Sequence, residues 1–525
     1  MFKVLVSDPL PEEKLTALKQ VAEVDFRFGL SQEELIGVIP EYDALIVRSG
    51  TKVTPEVLKA GKRLKVVGRA GVGVDNIDIP TATSLGIVVA NAPTGNIVAA
   101  AEHTIGLMFA LARNIPQAYV SLRGGEWKRS RFVGKELRHK VLGTVGLGRV
   151  ATEVARRAQG LEMDVVAYDP YISAEQAERL GVELVSLDEL LSQADFVTVH
   201  VPLTESTRGL IGREAFRKMK PTAFVLNVAR GGVVDEEALI EALDEGLIAG
   251  AAIDVFSQEP PPPDNPLLKH PKVVVTPHLG GSTVEAQEQV ARDVADQVLS
   301  VLRGGLARYA VNMPLVPPEE MAILEPYIEL AERLGKLAAQ VGDPRAHGME
   351  ITACGKIAEY ALEYVEAGAM KGFLDEVVDV RVNLVNAKTI AAQRHISLQR
   401  HKKSEPDRYG DVLSLKVISD SEEITLGGTV MEDGPYVVKV DGFWLTFPAS
   451  GRVLLVRHHD RPGVIGKVGT LLGTHDINIS FMHVGRTKPR GDAVMVMGVD
   501  EEVPDDVLEE ILAMPQTYWV KQAVL

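Results

Sequence analysis

The 525-residue sequence predicts an α/β protein in which two doubly wound parallel-sheet domains are followed by an α+β domain and a small βαββαβ domain. Three observations lead to this fold class. Short β-branched runs alternate with amphipathic stretches through the first half, as in parallel sheets with helices on both faces. Turn-forming segments at 311–320 and 447–452 divide the second half. The last segment has the element order β-α-β-β-α-β, which is typical of a ferredoxin-like domain.

The first half contains two series of predicted strands. Those of the first series are FKVLVS, VAEVDFRF, DALIVRS and LKVVGRA, with helices between them at 11–20, 31–39 and 54–61. Those of the second series are KVLGTVG, DVVAYD, DFVTVHVP, AFVLNVA, AGAAIDVF and KVVVTPH. A helix over Ile97–Arg113 is expected to connect the two series, and a long helix over 282–303 to return to the first.

The second half is less uniform. VNMPLVPPEE (311–320) predicts a linker, because proline interrupts helices and strands. Residues 321–448 predict a less regular mixture of helices and strands. After residue 452 the expected order is strand RVLLVR, helix 463–474, strands INISFMHVGR and DAVMVMGV, helix 504–513 and strand TYWVKQAVL.

Composition excludes several classes of function. With 72 acidic and 56 basic side chains the net charge is -16, so nucleic acid or an anionic membrane is not expected as the main partner. Cys354 is the single cysteine, which excludes an intramolecular disulfide, and no metal site is expected. The apolar stretch Ile97–Ala112 is interrupted by Glu102 and His103 and is too short to span a bilayer. The N-terminus lacks a signal-peptide pattern, so a cytoplasmic protein is expected.

A glycine-rich turn predicts a dinucleotide site. Gly146 and Gly148 follow the strand VLGTVG and open a helix, where Gly148 lets the backbone approach a pyrophosphate and small Ala151 allows close packing. Asp169 ends the next strand, and its carboxylate can accept from the ribose hydroxyls, which favours NAD over NADP. An ordinary tight turn is the alternative interpretation. A second glycine-rich segment, 71–76, lacks this spacing and could be a structural turn.

An arginine, a glutamate and a histidine, whose side chains could act together, follow later predicted strands. Arg230, Glu259 and His278 each lie just after a predicted strand, where open α/β sheets place ligands. A histidine can exchange the hydroxyl proton of a 2-hydroxy acid, a carboxylate can orient it, and an arginine can hold the substrate carboxylate. Taken singly, each also has a structural interpretation: a packing histidine, a surface ion pair and a solvated loop residue.

Six motifs resemble the D-2-hydroxy-acid dehydrogenase family over about residues 1–312. They are GRAGVGVDNID, VGLGRVATEVA, TVHVPLTESTRGLI, NVARGGVVDEEAL, AAIDVFSQEPP and TPHLGGSTVEAQ. The resemblance implies that Arg230 binds the substrate carboxylate, that Glu259 partners the histidine and that His278 is the acid/base. It implies a substrate-binding domain of residues 1–95 and 282–312, and a Rossmann-like NAD-binding domain of residues 96–281. Ala151 in place of the third glycine is tolerated by the family's pattern.

The same resemblance implies further contacts. Besides Gly146, Gly148 and Asp169, the expected NAD-binding residues are Arg149, Val150, His200, Pro202, Val228, Ala229, Asp254 and Gly280. The expected substrate-binding residues are Arg48, Arg69, Val72, Gly73 and Asn96, together with Arg230 and His278. Arg48 and Arg69 match the basic group that holds a phosphate in members acting on 3-phosphoglycerate; surface salt bridging is the alternative. WKRSRFVG (127–134) matches a segment that reaches a partner subunit, through Arg129 or Arg131.

The tail resembles the ACT domain, an amino-acid-sensing module, in HHDRPGVIGKVGTLLGTHDINIS. The resemblance implies an ACT regulatory domain over 452–525 that binds L-serine through His458, Asp460 and Asn478; Asp460 departs from an asparagine found in some members. Pure dimerisation is the alternative role. Residues 317–448 resemble the intervening domain of long-form members. Basic residues there could bind an anionic effector, although a solvated face is the better interpretation: Arg394, Arg400, Lys402 and Lys403.

Together the resemblances imply an NAD-dependent enzyme that oxidises D-3-phosphoglycerate to 3-phosphohydroxypyruvate, the first step of L-serine biosynthesis, under feedback inhibition by L-serine. The expected assembly is a homo-oligomer, either dimer or tetramer. Two alternatives remain open. One is another dehydrogenase of the family, acting on hydroxypyruvate, glyoxylate or D-lactate. The other is a non-catalytic regulator that senses NAD and an amino acid.

Overall fold

A computed structural model describes residues 1–525, apart from the side chain of residue 318. The first unit contains strands β1 (Phe2–Val6), β2 (Ala22–Phe26), β3 (Ala44–Val47), β4 (Val66–Arg69) and β5 (Val88–Asn91), and helices α1 (Thr16–Lys19), α2 (Gln32–Val38), α3 (Pro55–Ala60) and α4 (Ile79–Ser84). The strands form a parallel sheet in the order β2-β1-β3-β4-β5. Val4 and Val6 face one hydrophobic core and Leu5 faces another. Each face of this sheet is therefore covered, as the uninterrupted apolar strands predict.

The second unit is a larger parallel sheet. Its helices are α5 (Ile97–Ala112), α6 (Ile115–Arg123), α7 (Arg149–Gly160), α8 (Ala174–Arg179), α9 (Leu187–Gln193), α10 (Arg213–Lys218) and α11 (Glu236–Asp244). Its strands are β6 (Val141–Val145), β7 (Asp164–Tyr168), β8 (Glu183–Leu184), β9 (Phe196–Val199), β10 (Phe224–Asn227), β11 (Gly250–Ile253) and β12 (Val273–Val275). The strand order is β12-β11-β10-β9-β6-β7-β8.

The chain then returns to the first sheet through α12 (Val284–Leu302). This helix packs against β4 at Gly68, where a Cβ would lie 2.6 Å from Val294 and 2.8 Å from Val298. Since ordinary contacts need more space, only glycine admits the helix at this distance. The first unit is thus built from two separate stretches of sequence.

The third unit joins long helices to a mixed sheet. Its elements are α13 (Pro318–Val341), β13 (Ala346–Cys354), α14 (Glu363–Asp375), α15 (Ala387–Gln393), β14 (Ser397–Lys403), β15 (Val412–Ser419), β16 (Glu423–Met431), β17 (Gly434–Val440) and β18 (Phe443–Pro448). The order is β14-β13-β15-β16-β17-β18, with only β13 and β14 parallel. The expected linker 311–320 is shorter than predicted, because α13 begins at Pro318. Proline is tolerated in a first helical turn, where its missing N–H is not needed.

The fourth unit contains β19 (Arg452–His459), α16 (Val464–Thr474), β20 (Ile479–Arg486), β21 (Asp492–Val499), α17 (Asp505–Leu512) and β22 (Thr517–Val524). Its antiparallel sheet has the order β20-β21-β19-β22. Leu454 and Val456 face its helices, whereas Val453 and Leu455 belong to the core of the third unit. The last two units therefore share one continuous core.

Five short 3-10 helices complete the secondary structure: Glu12–Leu15, Ile39–Glu41, Arg129–Phe132, Pro266–Leu268 and Lys356–Glu359. Within the described chain, no helix is both long enough and apolar enough to cross a membrane. The fold class predicted from the sequence is confirmed: two parallel α/β sheets, a mixed α+β unit and a βαββαβ unit.

Candidate active site

His278 and Glu259 form a hydrogen-bonded pair beyond the carboxyl ends of β12 and β11. Nδ1 of His278 lies 2.7 Å from Oε2 of Glu259, and Oε1 of Glu259 accepts from the Phe256 amide at 3.1 Å. Because a carboxylate only accepts, the contact requires a proton on Nδ1 of His278. The Nε2 atom is then left to exchange a proton with a ligand. The imidazole is half exposed, which leaves it open to that ligand.

Asp254, after β11, holds the backbone that carries this histidine. The amide of His278 donates to the Asp254 carbonyl at 2.8 Å, and the amides of Leu279 and Gly280 donate to its carboxylate at 2.7 and 2.9 Å. Burial favours the neutral acid, but hydrogen bonds from His103, Thr276 and Leu279 outweigh it, so the pKa of Asp254 lies below its ordinary value. Asp254 therefore stays ionised in a buried position.

Arg230 follows β10 and points from the second unit toward the first. Its Nη1 donates to the Ala229 carbonyl at 2.7 Å, and its Nε lies 3.7 Å from Asp75. A Cβ on Gly73 would lie 2.7 Å from Nη2 of Arg230, so the guanidinium packs against the Gly73 backbone. Next along the chain, a Cβ on Gly231 would overlap the carbonyl of Phe256. The loops that carry Arg230 and Glu259 are thus packed together.

Arg69 is a partly buried cation at the end of β4. Its Nη1 donates to the Ala70 carbonyl at 2.8 Å, but its buried Nε has no partner among the described residues. Burial, with repulsion from Arg48 and Arg230, lowers the pKa of Arg69 to about 10. Arg48 and Arg230 therefore lie close enough to Arg69 to repel it, and Asp8 and Asp75 compensate that repulsion only in part. Such a cluster favours binding of an anion with several charges.

The other predicted substrate residues lie around these groups. The backbone of Arg48 is fixed by Asp8, whose Oδ2 accepts from its amide at 2.5 Å. The Val72 carbonyl accepts from Asn91 at 2.6 Å. A Cβ on Gly281 would lie 2.9 Å from Nδ2 of Asn96, so Asn96 lies against the loop that follows His278.

The glycine turn after β6 fits a dinucleotide. Gly146 has a φ of 92°, and a Cβ there would lie 2.7 Å from the His200 carbonyl. Gly148 caps α7 without a side chain, and space is open where its Cβ would be, so a phosphate can reach the helix amides. Asp169 accepts from the Leu147 amide at 2.8 Å, which places its carboxylate beside the turn. Ala151 is fully buried, in line with its expected packing role.

The remaining predicted cofactor residues lie at the same sheet edge. Burial lowers the pKa of His200 to about 4, so this histidine is neutral, and its Nε2 pairs with Thr198 at 3.0 Å. The other positions begin α7 or follow β9, β10, β11 and β12: Arg149, Val150, Pro202, Val228, Ala229, Asp254 and Gly280. Their contacts with NAD stay predictions.

The three residues that are predicted to bind L-serine do not lie together within one chain. His458 is buried, with no partner on Nε2 among the described residues, while Oδ2 of Asp460 accepts from Arg486 at 3.0 Å. His458 and Arg486 pair with the same residue of β21, whereas Asn478 lies at the opposite end of β20. At about 3.3 Å per residue, roughly 25 Å separates Asn478 from His458. A site with all three residues requires two chains.

The predicted basic face of the third unit is partly neutralised. Arg400 pairs with Glu363 at 2.9 Å and with the buried Glu366, and Lys402 donates to the Tyr360 carbonyl at 2.6 Å. These contacts occupy some of the donors of Arg400 and Lys402.

Sequence reasoning missed three residues of the site. Asp8 fixes Arg48, while His103 and Thr276 contact the Asp254 carboxylate at 3.2 and 2.6 Å. The available signal for His103 was a polar residue inside an apolar helix. Among the described side chains, no group of three or more His, Cys, Asp or Glu residues is arranged to hold a metal ion.

Three family models match the chain. Residues 105–280 match the NAD-binding domain of D-isomer specific 2-hydroxyacid dehydrogenases, residues 323–441 match the D-3-phosphoglycerate dehydrogenase intervening domain, and residues 452–516 match the ACT domain. The structure of a Thermus thermophilus protein is similar with a TM-score of 0.55 and 36% identity, covering 59% of this chain and 99% of that chain. The apo-structure of D-lactate dehydrogenase from Escherichia coli is similar with a TM-score of 0.53 and 28% identity, covering 59% and 99%.

Curated relatives extend over the whole length. A D-3-phosphoglycerate dehydrogenase of Methanocaldococcus jannaschii is 46% identical over 98% of this chain and 98% of its own. One of Bacillus subtilis is 41% identical over 99% of both chains. The resemblance predicted from the motifs is confirmed, and the chain belongs to the D-3-phosphoglycerate dehydrogenase family of the D-2-hydroxyacid dehydrogenases.

Proposed function

We propose that this chain oxidises D-3-phosphoglycerate to 3-phosphohydroxypyruvate with NAD, as the first step of L-serine biosynthesis. The observation that carries this choice of substrate is the partly buried Arg69, whose buried Nε has no partner and whose pKa is lowered in part by Arg48 and Arg230. A phosphorylated acid supplies both a phosphate and a carboxylate to such a cluster. The relatives of nearly full length carry the name of this activity.

The mechanism follows from the positions of the side chains. NAD, when bound, supplies the acceptor for the hydride that leaves C2 of the substrate. Nε2 of His278 takes the proton of the C2 hydroxyl, and Glu259 stabilises the resulting imidazolium through Nδ1. Arg230 holds the substrate carboxylate and so fixes C2 relative to the histidine. In the reverse direction the same imidazolium returns the proton.

Two alternatives are separable by one assay. NADH formation is measured with 3-phosphoglycerate and with unphosphorylated 2-hydroxy acids, among them glycerate and D-lactate, at equal concentrations. We expect fastest turnover of the phosphorylated acid, and faster turnover of an unphosphorylated one would contradict the assignment. A non-catalytic regulator would reduce none of the NAD. His278→Ala is expected to abolish turnover, and unchanged NADH production would show that the mechanism is wrong.

L-Serine is the proposed effector, bound between two fourth units. His458 and Asp460 of one chain would meet Asn478 of another, since the two ends of the sheet lie far apart within one chain. The experiment is inhibition by serine with Asn478→Ala and, as a control, Asn383→Ala, which lies outside this unit. Loss of inhibition in Asn478→Ala alone supports the site. No inhibition of the wild type at millimolar serine means that the ACT unit only assembles chains.

A homo-oligomer, dimer or tetramer, is part of the proposal. Large apolar side chains are exposed along α6 and the segment after it: Ile115, Tyr119, Val120, Leu122, Trp127 and Val133. A segment with this many exposed apolar side chains favours burial against a second copy. Arg129 and Arg131 lie in the same segment, where one of them would reach the partner's site. Sedimentation of the wild type and of Trp127→Ser tests this, with a smaller species expected for the variant.

The remaining assignments are also proposals. The substrate domain would comprise 1–95 and 282–312, the NAD domain 96–281, the intervening domain 317–448 and the ACT domain 452–525. Cytoplasmic location is also proposed, and the single cysteine is compatible with a reducing compartment.

A further inference from the structure

His103 on α5 lies beneath the loop that carries His278. Its Nε2 is 3.2 Å from Oδ1 of Asp254 and 3.2 Å from Oγ1 of Thr276. The Asp254 carboxylate is fully buried, and the side chain of His103 is 22% exposed. The histidine is therefore close to the catalytic loop without taking part in the His278–Glu259 pair.

The contacts define which nitrogen of His103 carries a proton. Oγ1 of Thr276 donates its hydrogen to Oδ1 of Asp254 at 2.6 Å, so toward His103 it can only accept. The Asp254 carboxylate likewise only accepts. Both contacts therefore require a hydrogen on Nε2 of His103, which is shared between the two oxygens.

Asp254 links the side chain of His103 to the backbone of the catalytic histidine. Its carbonyl accepts from the His278 amide, and its carboxylate accepts from Leu279 and Gly280. His278 has a φ of 54°, in the left-handed region that non-glycine residues rarely adopt without support. The hydrogen bonds of Asp254 on both sides of this residue provide that support.

We propose that His103 is a positioning residue for the acid/base histidine. Its Nε2–H fixes the Asp254 carboxylate, and Asp254 holds the left-handed backbone at His278. The proposal rests on the proposed function only in that His278 exchanges the substrate proton. The side chain of His103 contacts Asp254 and Thr276 but not His278, Glu259 or Arg230, so we expect its effect on kcat rather than on substrate affinity.

The decisive comparison is between His103→Leu, which removes the donor, and His103→Gln, whose amide can restore it. With both substrates saturating we expect kcat to fall about tenfold in His103→Leu, as for loss of one hydrogen bond to a charged group. The KM for 3-phosphoglycerate stays within about twofold, because the arginine cluster is untouched. His103→Gln retains kcat within about threefold of the wild type.

Two further variants separate positioning from general damage to the helix. Thr104→Val removes a buried hydroxyl of the same helix that donates only to Ala100, and it is expected to keep the wild-type kcat. Thr276→Val should reproduce the loss of His103→Leu, and the double variant should be little worse than either single one, because both act through Asp254. Equal losses in His103→Leu and His103→Gln, or multiplied losses in the double variant, would overturn the proposal.

A measurement that needs no turnover distinguishes this proposal from the proposed function. Amide hydrogen exchange at Leu279 and Gly280 should be faster in His103→Leu than in the wild type and His103→Gln. Kinetics are read on whichever 2-hydroxy acid the wild type oxidises fastest, so a different substrate leaves the comparison intact. Unchanged exchange in His103→Leu refutes the positioning role even if the wild type oxidises none of the acids.

Discussion

Replacing Arg69 with methionine tests whether this partly buried cation exists for a ligand. Its pKa falls to about 10, well below the ordinary range of an arginine, mainly through burial. At 1.36 kcal/mol for each pKa unit, keeping the charge in the ligand-free protein costs about 3 kcal/mol. Methionine has a similar length and no charge, so it removes this cost. We therefore expect Arg69→Met to be at least as stable as the wild type without substrate.

The same change should impair binding of the phosphorylated acid. A lost charge-assisted contact of about 3 kcal/mol corresponds to a rise of roughly 100-fold in the KM for 3-phosphoglycerate. The assays are thermal unfolding without ligand and initial rates of NADH formation at varied substrate. Arg27→Met is the matched control, since Arg27 is an exposed arginine of the same unit, and neither quantity should change. A lower melting temperature with an unchanged KM would show that Arg69 is a structural residue.

Three other substitutions have defined outcomes. Gly73→Ala places a Cβ 2.7 Å from Nη2 of Arg230, so kcat/KM should fall at least about tenfold. Gly37→Ala is the control, because the space around Gly37 is open, and it should leave kcat/KM unchanged. Equal values of kcat/KM for the two variants would contradict the close approach of Arg230 to the Gly73 backbone. Asp169→Ser removes the carboxylate that we propose accepts from the ribose, so the ratio of kcat/KM for NAD over NADP should fall at least about tenfold, and an unchanged ratio would remove Asp169 from the cofactor site. His200→Gln tests the pKa of about 4: the unfolded chain takes up the proton first as pH falls from 6.5 to 4, so the wild type loses stability in that window. Between pH 7 and pH 5 the free energy of unfolding, measured by denaturation, should fall by about 2 kcal/mol less in the variant than in the wild type. Equal falls would mean that His200 is not held neutral.

Short-range patterns predicted most of the fold. The β-branched runs mark the strands of the two parallel sheets because both faces of such strands are buried. The glycine turn at 146–148 and the residues after the strands could be placed at one sheet edge because parallel strands end at the same edge. The grouping of Arg230, Glu259 and His278 follows from that rule and from the motifs.

Other features depend on contacts that are distant in sequence. Proline at 317 and 318 suggested a linker, but burial of the apolar face of α13 against the mixed sheet extends the helix to Pro318. His103 is unremarkable in an apolar helix until β11 brings Asp254 beside it. The separation of His458 from Asn478 follows from strand direction, which their spacing in sequence does not reveal.

The arginine cluster also accounts for how an acidic chain selects an anion. The net charge of -16 acts through solvent, where it is screened within about 10 Å, whereas Arg48 and Arg230 lie near enough to the partly buried Arg69 to lower its pKa. A carboxylate alone can compensate one guanidinium and leaves the repulsion among the others. A phosphate with a carboxylate can compensate all three at once. The cluster should therefore discriminate against unphosphorylated 2-hydroxy acids by leaving part of its positive charge uncompensated in their complexes.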